Sequence, residues 1–385
     1  MNPPLTDINR ILIFKFKHIG DVLLSVPVLN AVAKRFPKAR IDYLVSQGTE
    51  ALIQDHPRVT TVFRADRHHP LWRQWRQLMM LRRYCYDLSI DLSGGGDRGA
   101  IASRVVGARW RVGKLPAGHR RGMRGKAWCY NHIVPASSPM QHSIHYDLAL
   151  IRYLGIPVTV PKLDMHIPAS AVEQSMAMLR QAGIDPASGL VLVHPTARWL
   201  FKCIADATMA TVIDRIASEL HRPVVVTCGP NTQELARLNA IVGRLQSRPA
   251  VFAGDLSLPQ LGAMIQAADV FLGVDSAPMH MAAALNTPAL ALFGPTSVYN
   301  WGPWPNDPDI QNPYLNRNGM QRCGRHTVLQ QRRDCQPCGQ AGCLNSRISD
   351  CLNSLNADDI IAELSRMLSR LRGQYDIVCQ GAMRR

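Results

Sequence analysis

The chain repeats one local pattern: a short apolar segment, a polar turn with glycine or proline, and then an amphipathic stretch. Four apolar segments of this kind fall in the first half, namely RILIFKF, RIDYLVS, VTTVFRA and YDLSIDLS. Five more fall in the second half, namely GLVLVHP, RPVVVTCGP, AVFAG, DVFLGV and PALALFG. Because buried strands that alternate with helices build parallel sheets, the sequence predicts an α/β protein with two parallel sheets.

A segment rich in proline and β-formers, PVTVPKLDMHIPASA, separates the two series and follows a predicted helix, HSIHYDLALIRYLGI. We therefore predict two domains, residues 1–168 and residues 169–385. The chain has 385 residues, which is long enough for two full hydrophobic cores. Near its end, NADDIIAELSRMLSRL predicts an amphipathic helix that begins near Asn356 or Asp358.

The segment ILIFKFKHIGDVLLSVPVL, residues 11–29, places a glycine and a carboxylate between a strand and a helix. ILIFKF favours a strand, and DVLLSVPVLNAVAKRF is typical of one amphipathic helix. Gly20 and Asp21 are therefore expected at the edge of a parallel sheet, where such sheets bind ligands. The alternative is that Asp21 serves only as the N-cap of the helix.

A second strand end lies at residues 270–285, where DVFLGV runs into Asp275, Ser276 and a helix of small residues. Asp275 or Ser276 is predicted to cap this helix, and Pro278 suits its first turn. The first N–H groups of the helix, together with its dipole, predict a site for a phosphate group.

Two further strand ends carry polar side chains. The strand LVLV ends at His194, Pro195 and Thr196, and Lys202 follows; it is either a solvated lysine or the counter-charge of a diphosphate. After VVVTCGP, Glu234 is either a ligand for a ribose or a solvent-facing helix carboxylate.

Four motifs in this order, KHIGDVLLSVPVL, HPTARWLFKC, CGP with Glu234, and GVDSAPMHMAAAL, resemble glycosyltransferase family 9. These are the bacterial lipopolysaccharide heptosyltransferases, and the chain is most similar to their heptosyltransferase III branch. The resemblance implies a GT-B architecture, with two Rossmann-like domains whose parallel sheets face a central cleft. It implies that the N-terminal domain binds the acceptor and the C-terminal domain the nucleotide sugar, with a final helix that crosses back.

The same resemblance assigns roles to individual residues. Asp21 matches the general base, Lys202 the lysine that holds the diphosphate, and Glu234 the ribose-binding carboxylate. The remaining donor-binding positions that it implies are Thr196, Asp275, Ser276, Ala277, Met279 and His280. The acceptor-binding positions expected here are His18, Gly20, Arg120, Arg121 and Arg124.

The implied reaction is an inverting transfer of L-glycero-D-manno-heptose from ADP-heptose to a heptose of the lipopolysaccharide inner core, with no cofactor or catalytic metal. Asp307 and Asp309 have the spacing of a metal-binding Asp-X-Asp pair, but their Trp/Pro-rich context favours a turn. Two alternatives remain: a type I or II heptosyltransferase or another GT-B transferase, and a non-catalytic binder of anionic glycolipid.

Charge adds a prediction about location. The chain has 44 Lys and Arg against 28 Asp and Glu, a net charge of +16. Residues 104–126 hold eight basic and no acidic residues, and a second basic stretch covers residues 64–83. With no recognisable nucleic-acid module, this charge favours an anionic glycolipid at a membrane surface. The sequence shows neither a signal peptide nor a membrane-spanning run, so we expect a cytoplasmic protein attached peripherally to the inner membrane.

Five of the ten cysteines lie in residues 323–351. Four of them, Cys335, Cys338, Cys343 and Cys351, fall within 17 residues and could bind a structural metal, although their spacing is not that of a zinc ribbon. Free thiols are nevertheless the favoured interpretation, and disulfides are a further alternative that a reducing cytoplasm disfavours.

Overall fold

The computed structural model describes residues 5–16, 18–94, 96–114, 127–135, 141–158 and 160–382. The chain forms two compact units, Met1–His166 and Ile167–Arg385, which we call the N-unit and the C-unit. The boundary between them falls in an irregular segment that ends where the first helix of the C-unit begins, at Ala169.

The described part of the N-unit forms one six-stranded sheet in which all neighbouring strands are parallel. Its strands are β1 (Arg10–Lys15), β2 (Arg40–Ser46), β3 (Thr61–Ala65), β4 (Leu88–Asp91), β5 (Trp110–Lys114) and β6 (His132–Val134). Its helices are α1 (Ile19–Leu23), α2 (Val26–Arg35), α3 (Leu71–Arg82), α4 (Asp97–Val106) and α5 (Ser143–Tyr153). The spatial order is β3-β2-β1-β4-β5-β6, so β1 lies at the centre, where its continuous apolar run is buried on both faces.

The described part of the C-unit forms a seven-stranded sheet in the order β12-β13-β11-β10-β7-β8-β9. Its strands are β7 (Val191–His194), β8 (Val224–Cys228), β9 (Ala250–Ala253), β10 (Val270–Val274), β11 (Ala289–Phe293), β12 (Gln321–Cys323) and β13 (His326–Gln330). Its helices are α6 (Ala169–Gln181), α7 (Asp206–Ser218), α8 (Thr232–Val242), α9 (Leu258–Ala267), α10 (Ala277–Ala284), α11 (Val298–Trp301), α12 (Asp350–Asn353) and α13 (Ala357–Ala382). All pairs are parallel except β12 with β13.

In both sheets the chain starts at the centre, builds outward in one direction, and then returns to build in the other. The direction changes between β1 and β4 in the N-unit and between β7 and β10 in the C-unit. Ligands of open parallel sheets bind outside the carboxyl ends of the strands at such a switch point. We therefore expect the functional residues among those that follow β1, β4, β7 and β10.

The single helix predicted from DVLLSVPVLNAVAKRF is wrong, because the structure has two helices there, α1 and α2. Pro27 cannot donate the N–H bond of a continuous helix, and its ring would clash with the preceding turn. Pro27 instead occupies the first turn of α2, where a missing N–H costs nothing. The hydroxyl of Ser25 donates to Val22 O at 2.6 Å, across the break.

The helix α13 begins as predicted, because Asn356 Oδ1 accepts the N–H of Asp359 at 2.8 Å and so caps its first turn. Its apolar face packs within the C-unit, where Ile360, Leu364 and Met367 join the core. None of the described helices carries an apolar stretch long enough to cross a bilayer.

A buried carboxylate fastens α13 to the edge of the C-unit sheet. Glu363 accepts hydrogen bonds from Arg322 Nη2 at 2.7 Å, Thr327 Oγ1 at 2.7 Å and Arg366 Nε at 2.9 Å. Burial alone would raise the pKa of Glu363, but these donors favour the charged form more strongly and lower the pKa to about 2.

Replacing Glu363 by Gln is expected to lower the free energy of unfolding by about 2–3 kcal/mol at pH 7, since two arginines lose their shared carboxylate. The folded pKa lies below the usual 4.5, so the contribution of Glu363 is present above pH 4.5 and is lost as the pH falls toward 2. Denaturant unfolding at several pH values would measure both effects. Asp358→Asn on the same helix removes an 81% exposed partner of Arg215 and should cost less than about 1 kcal/mol. Equal costs for the two variants would contradict this role.

Candidate active site

At the C-unit switch point, a lysine and a carboxylate form a partly buried ion pair. Lys202 ends a short 3-10 helix after β7, and its Nζ lies 2.7 Å from Oδ2 of Asp275, which directly follows β10. Thr296, after β11, donates its hydroxyl to the same oxygen at 2.6 Å. The Lys202 side chain is 20% exposed, and Asp275 only 5%. The alternative of a solvated lysine is therefore wrong, and the ammonium is held at the carboxyl edge of the sheet.

A second carboxylate is buried at the same edge of the sheet. Glu234 lies in the first turn of α8, is 8% exposed, and accepts the Thr196 hydroxyl at 2.9 Å. The alternative of a solvent-facing carboxylate is therefore wrong. A Cβ atom at Gly229 would lie 3.1 Å from both Glu234 oxygens, so the glycine of the CGP turn makes room for this carboxylate. Thr196 is fully buried and acts here as the partner of Glu234.

The small-residue helix α10 points its N-terminus toward this edge, but it is not capped as predicted. Ser276 occupies the N-cap position without a capping side-chain bond, and within the described residues its buried hydroxyl oxygen has no hydrogen-bond partner. The Met279 amide donates to Ser276 O at 3.2 Å, and its side chain is fully buried. Ser276 and Ala277 are partly exposed at the start of this helix, whereas Met279 and His280 are buried.

Two further side chains at or after the end of β7 are His194 and Trp199. His194, at the end of β7, is buried, which lowers its pKa to about 4, so the ring is neutral; its Nδ1 lies 2.9 Å from Thr227 Oγ1. Three residues before Lys202, the half-exposed Trp199 lines a groove of about 1090 Å³ together with Arg198 and the first turn of α8. No motif in the sequence pointed to Trp199.

At the N-unit switch point, Asp21 lies half-buried in the first turn of α1, directly after β1. It is not the N-cap, since that position belongs to the exposed His18. Gly20 precedes it within the same turn. Burial raises the pKa of Asp147 on α5, and the charge of Asp21 raises it further, so these carboxylates share one electrostatic environment.

Two lysines compensate this negative charge, and sequence reasoning missed both. Lys15, at the end of β1, is buried and forms an ion pair with Asp147. Lys114, at the end of β5, donates to Tyr146 O at 3.3 Å and lies over the Tyr146 ring. Burial lowers the pKa of Lys114. Both lysines lower the pKa of Asp147 and so oppose the effects of burial and of Asp21.

The neighbouring strand β4 ends in another buried carboxylate that sequence reasoning missed. Asp91 accepts a short hydrogen bond from the Tyr130 hydroxyl and the N–H of Ser93 at 2.8 Å. Burial raises the pKa of Asp91. A Cβ atom at Gly99 on α4 would overlap with this carboxylate, so glycine is required there. Asp91 therefore holds Ser93, whose hydroxyl oxygen accepts the N–H of Phe16, the residue after β1, at 3.0 Å.

The basic positions predicted to contact the acceptor, Arg120, Arg121 and Arg124, lie outside the described residues. Asp307 and Asp309, which have the spacing of an Asp-X-Asp pair, lie in a turn of the loop after α11. Oδ1 of Asp307 accepts the N–H of Asp309 at 3.0 Å.

The cysteine-rich segment does not form the predicted ligand set. Among the described side chains, no three of Cys335, Cys338, Cys343 and Cys351 come close enough to share one ion, and none is in a disulfide. Burial raises the pKa of Cys351 to about 11, and the charges of Cys343 and Cys338 add to this shift. Cys338 and Cys343 therefore lie near enough to Cys351 to act on it electrostatically, but Cys335 and Cys338 are exposed while Cys351 is buried on α12, and the described thiols do not converge on one point.

A histidine cluster in the N-unit gathers three side chains that could in principle hold a metal. His166 Nε2 lies 3.2 Å, and His56 Nε2 3.7 Å, from Asp164 Oδ2. The Arg58 amide donates to Nδ1 of His56 at 3.2 Å, which places the ring proton on Nε2, toward the carboxylate. A histidine that binds a metal through Nε2 carries its proton on Nδ1 and donates it to a neighbouring acceptor. In His56, Nδ1 accepts a hydrogen bond, so this tautomer suits a contact between Nε2 and Asp164 and not a metal ion. The cluster holds the end of the N-unit in place.

Comparison with known proteins places this geometry in a family. Residues 72–330 match glycosyltransferase family 9 (heptosyltransferase). Lipopolysaccharide heptosyltransferase 3 of Escherichia coli is 32% identical over 75% of this chain and 84% of its own length, which confirms the resemblance to the III branch.

Solved structures confirm the predicted GT-B fold. The glycosyl transferase family 9 protein of Veillonella parvula DSM 2008 has a TM-score of 0.78 at 18% identity, covering 96% of this chain and 99% of its own. E. coli heptosyltransferase WaaC with ADP-2-deoxy-2-fluoro heptose has a TM-score of 0.63 at 18% identity, covering 93% and 99%. With a family match over most of its length and a relative above 30% identity, the chain belongs to glycosyltransferase family 9 and is a glycosyltransferase.

Proposed function

We propose that the protein transfers L-glycero-D-manno-heptose from ADP-heptose to a heptose of the lipopolysaccharide inner core, with inversion at the anomeric carbon. The observation that carries this proposal is the Lys202–Asp275 pair at the C-unit switch point, in a chain 32% identical to an E. coli lipopolysaccharide heptosyltransferase 3. The E. coli WaaC structure that holds a fluorinated ADP-heptose supports the choice of donor.

In the proposed reaction, Asp21 accepts the proton of the acceptor hydroxyl as that oxygen bonds to the anomeric carbon. The bond from this carbon to the donor phosphate breaks, and its electron pair leaves with ADP. Because attack and departure take place on opposite faces, the configuration inverts. The half-buried position of Asp21 at the end of β1 supports this role, since it combines solvent access with a fixed helix turn.

The donor side supplies positive charge for the leaving group. Lys202 would bind the diphosphate, and the N-terminus of α10, with Ser276 and Ala277, would bind its oxygens. Glu234 would accept hydrogen bonds from the ribose, with Thr196 holding its carboxylate. Asp275, whose Oδ2 lies 2.7 Å from Lys202 Nζ, would lie near the sugar, and His280 would help to hold the phosphate. We propose that these groups act without a catalytic metal or any cofactor besides the donor substrate.

The N-unit would bind the acceptor through the turn of His18 and Gly20 and through the basic residues Arg120, Arg121 and Arg124. An inner-core acceptor carries phosphates and a lipid, so we place the enzyme at the cytoplasmic face of the inner membrane. The net charge of +16 supports attraction to an anionic surface.

The test is release of ADP from ADP-heptose in the presence and absence of purified inner-core glycolipid. We expect release to require the acceptor and the product to gain one heptose by mass spectrometry. A panel of acceptors that each lack one heptose separates branch addition from addition of the first or second core heptose. Binding of ADP without turnover on any core acceptor would instead favour another sugar donor or a non-catalytic glycolipid binder.

A further inference from the structure

The helix α3 of the N-unit exposes an unusual amount of apolar surface. Trp72 and Trp75 are 58% and 54% exposed, Met79 is 41% exposed, and Leu71 at its start is 83% exposed. Scattered apolar residues are common on protein surfaces, but two tryptophans on one short helix form a contiguous patch.

The spacing of these residues places them on one side of the helix. Trp72, Trp75 and Met79 occupy positions i, i+3 and i+7, which share a face. The opposite face is fixed to the N-unit: Leu81 is fully buried, and Gln77 Nε2 donates to Arg64 O at 2.7 Å. The exposed orientation of the tryptophans therefore follows from the way in which α3 is held.

The charge of α3 indicates what could cover this face. From Arg67 to Tyr86, both included, the chain carries five arginines and no acidic residue. Arg76 lies one turn from Trp72, and Arg73 lies with its guanidinium 5.1 Å from the Trp72 ring. Basic side chains that border exposed tryptophans are typical of helices that lie in the headgroup region of an anionic bilayer.

We propose that α3 docks the enzyme on the membrane, lying flat with Trp72, Trp75 and Met79 inserted at the boundary between headgroups and acyl chains. Arg73 and Arg76 then bind lipid phosphates. A second copy of this chain would bring two arginine-rich helices together, so like charges oppose that alternative. This inference rests on the proposed function, because it identifies the surface through which a lipid-linked acceptor is approached.

The test is co-sedimentation of the full chain with phosphatidylcholine vesicles, with and without phosphatidylglycerol. We expect binding only to the anionic vesicles, and a loss of about tenfold or more for the double variant Trp72→Ser/Trp75→Ser. Arg73→Ala/Arg76→Ala should weaken binding and reduce its dependence on salt. Trp199→Ser is the matched control, since Trp199 is 50% exposed but belongs to the C-unit.

A second measurement separates this surface from the active site. With a water-soluble, lipid-free inner-core oligosaccharide as the acceptor, the Trp72/Trp75 double variant should turn over as the wild type does, whereas with vesicle-embedded glycolipid it should be slower. Unchanged vesicle binding by a folded double variant would overturn the proposal. An equal loss with soluble acceptor would also overturn it, because α3 would then bind the acceptor sugar. Failure of all acceptors with the wild type, with vesicle binding intact, would count against the proposed function alone.

Discussion

Replacing Asp21 by Asn is expected to lower kcat for heptose transfer by about 10²–10⁴-fold, the usual contribution of a general base. The amide keeps the size and hydrogen-bonding geometry of the side chain but cannot accept the acceptor proton. Because Asp21 lies in the N-unit and the proposed donor groups lie in the C-unit, ADP affinity should not change. Steady-state kinetics together with ADP titration calorimetry measures both quantities.

The surroundings of Asp21 indicate that the substitution should change turnover without unfolding the N-unit. Asp21 is half-buried on a five-residue helix, and its described electrostatic neighbour Asp147 is already paired with Lys15. Removing one negative charge from this group should therefore not unfold the N-unit, which a thermal scan would verify. Asp55→Asn serves as the control, because Asp55 is an exposed carboxylate of the same unit. If Asp21→Asn retains turnover close to that of Asp55→Asn, Asp21 is not the general base.

The general architecture could be read from the sequence because its signals are local. A strand such as β10, with five buried residues ending in a polar turn, is visible as DVFLGV followed by Asp275. The parallel sheets and the position of the strand ends follow from this pattern alone. The same local signal placed Asp21, Lys202 and Glu234 near strand ends, since each follows an apolar run.

Buried strands that contain several polar residues lack the apolar run by which the other strands were predicted. β13 is fully buried yet contains His326, Thr327 and Gln330, so its sequence is not typical of a core strand. Two of its polar side chains donate to partners far along the chain: Gln330 Nε2 donates to Gly294 O at 2.8 Å, and the Thr327 hydroxyl donates to Glu363. Burial of polar residues depends on partners that no local pattern can reveal.

Side-chain pairing was hidden for a similar reason. Asp275 and Lys202 are 73 residues apart, and only the adjacency of β7 and β10 brings them to 2.7 Å. Asp91 and Tyr130 likewise meet across 39 residues. The cysteines show the converse, since closeness in sequence suggested a possible metal cluster, as an alternative to free thiols, and the described side chains do not form one. A local sequence pattern can therefore place a residue near a strand end, but it cannot show which distant residue pairs with it.

Replacing Lys202 by Met is expected to reduce kcat/KM by about 10²–10³-fold, the usual effect of losing a group that stabilises developing negative charge. ADP should also bind more weakly, because the diphosphate loses its main cation. Lys202→Arg keeps the charge and should retain part of the activity, although its planar group does not match an ammonium held at 2.7 Å from Asp275. Arg244→Met, at a position away from the strand ends, controls for the loss of one positive charge.

A chemical experiment tests the same assignment without a mutation. Lys202 is the only lysine after residue 166, so any amine modification within the C-unit reports on this side chain. Its 20% exposure permits slow reaction with an amine-specific reagent. If its ammonium binds the diphosphate, ADP should slow this modification, whereas adenosine, which lacks phosphates, should not. The lysines of the N-unit provide an internal control in the same digest. Equal protection by adenosine and ADP would mean that Lys202 is merely covered by the bound nucleoside, and the electrostatic role would have to be assigned to the first turn of α10.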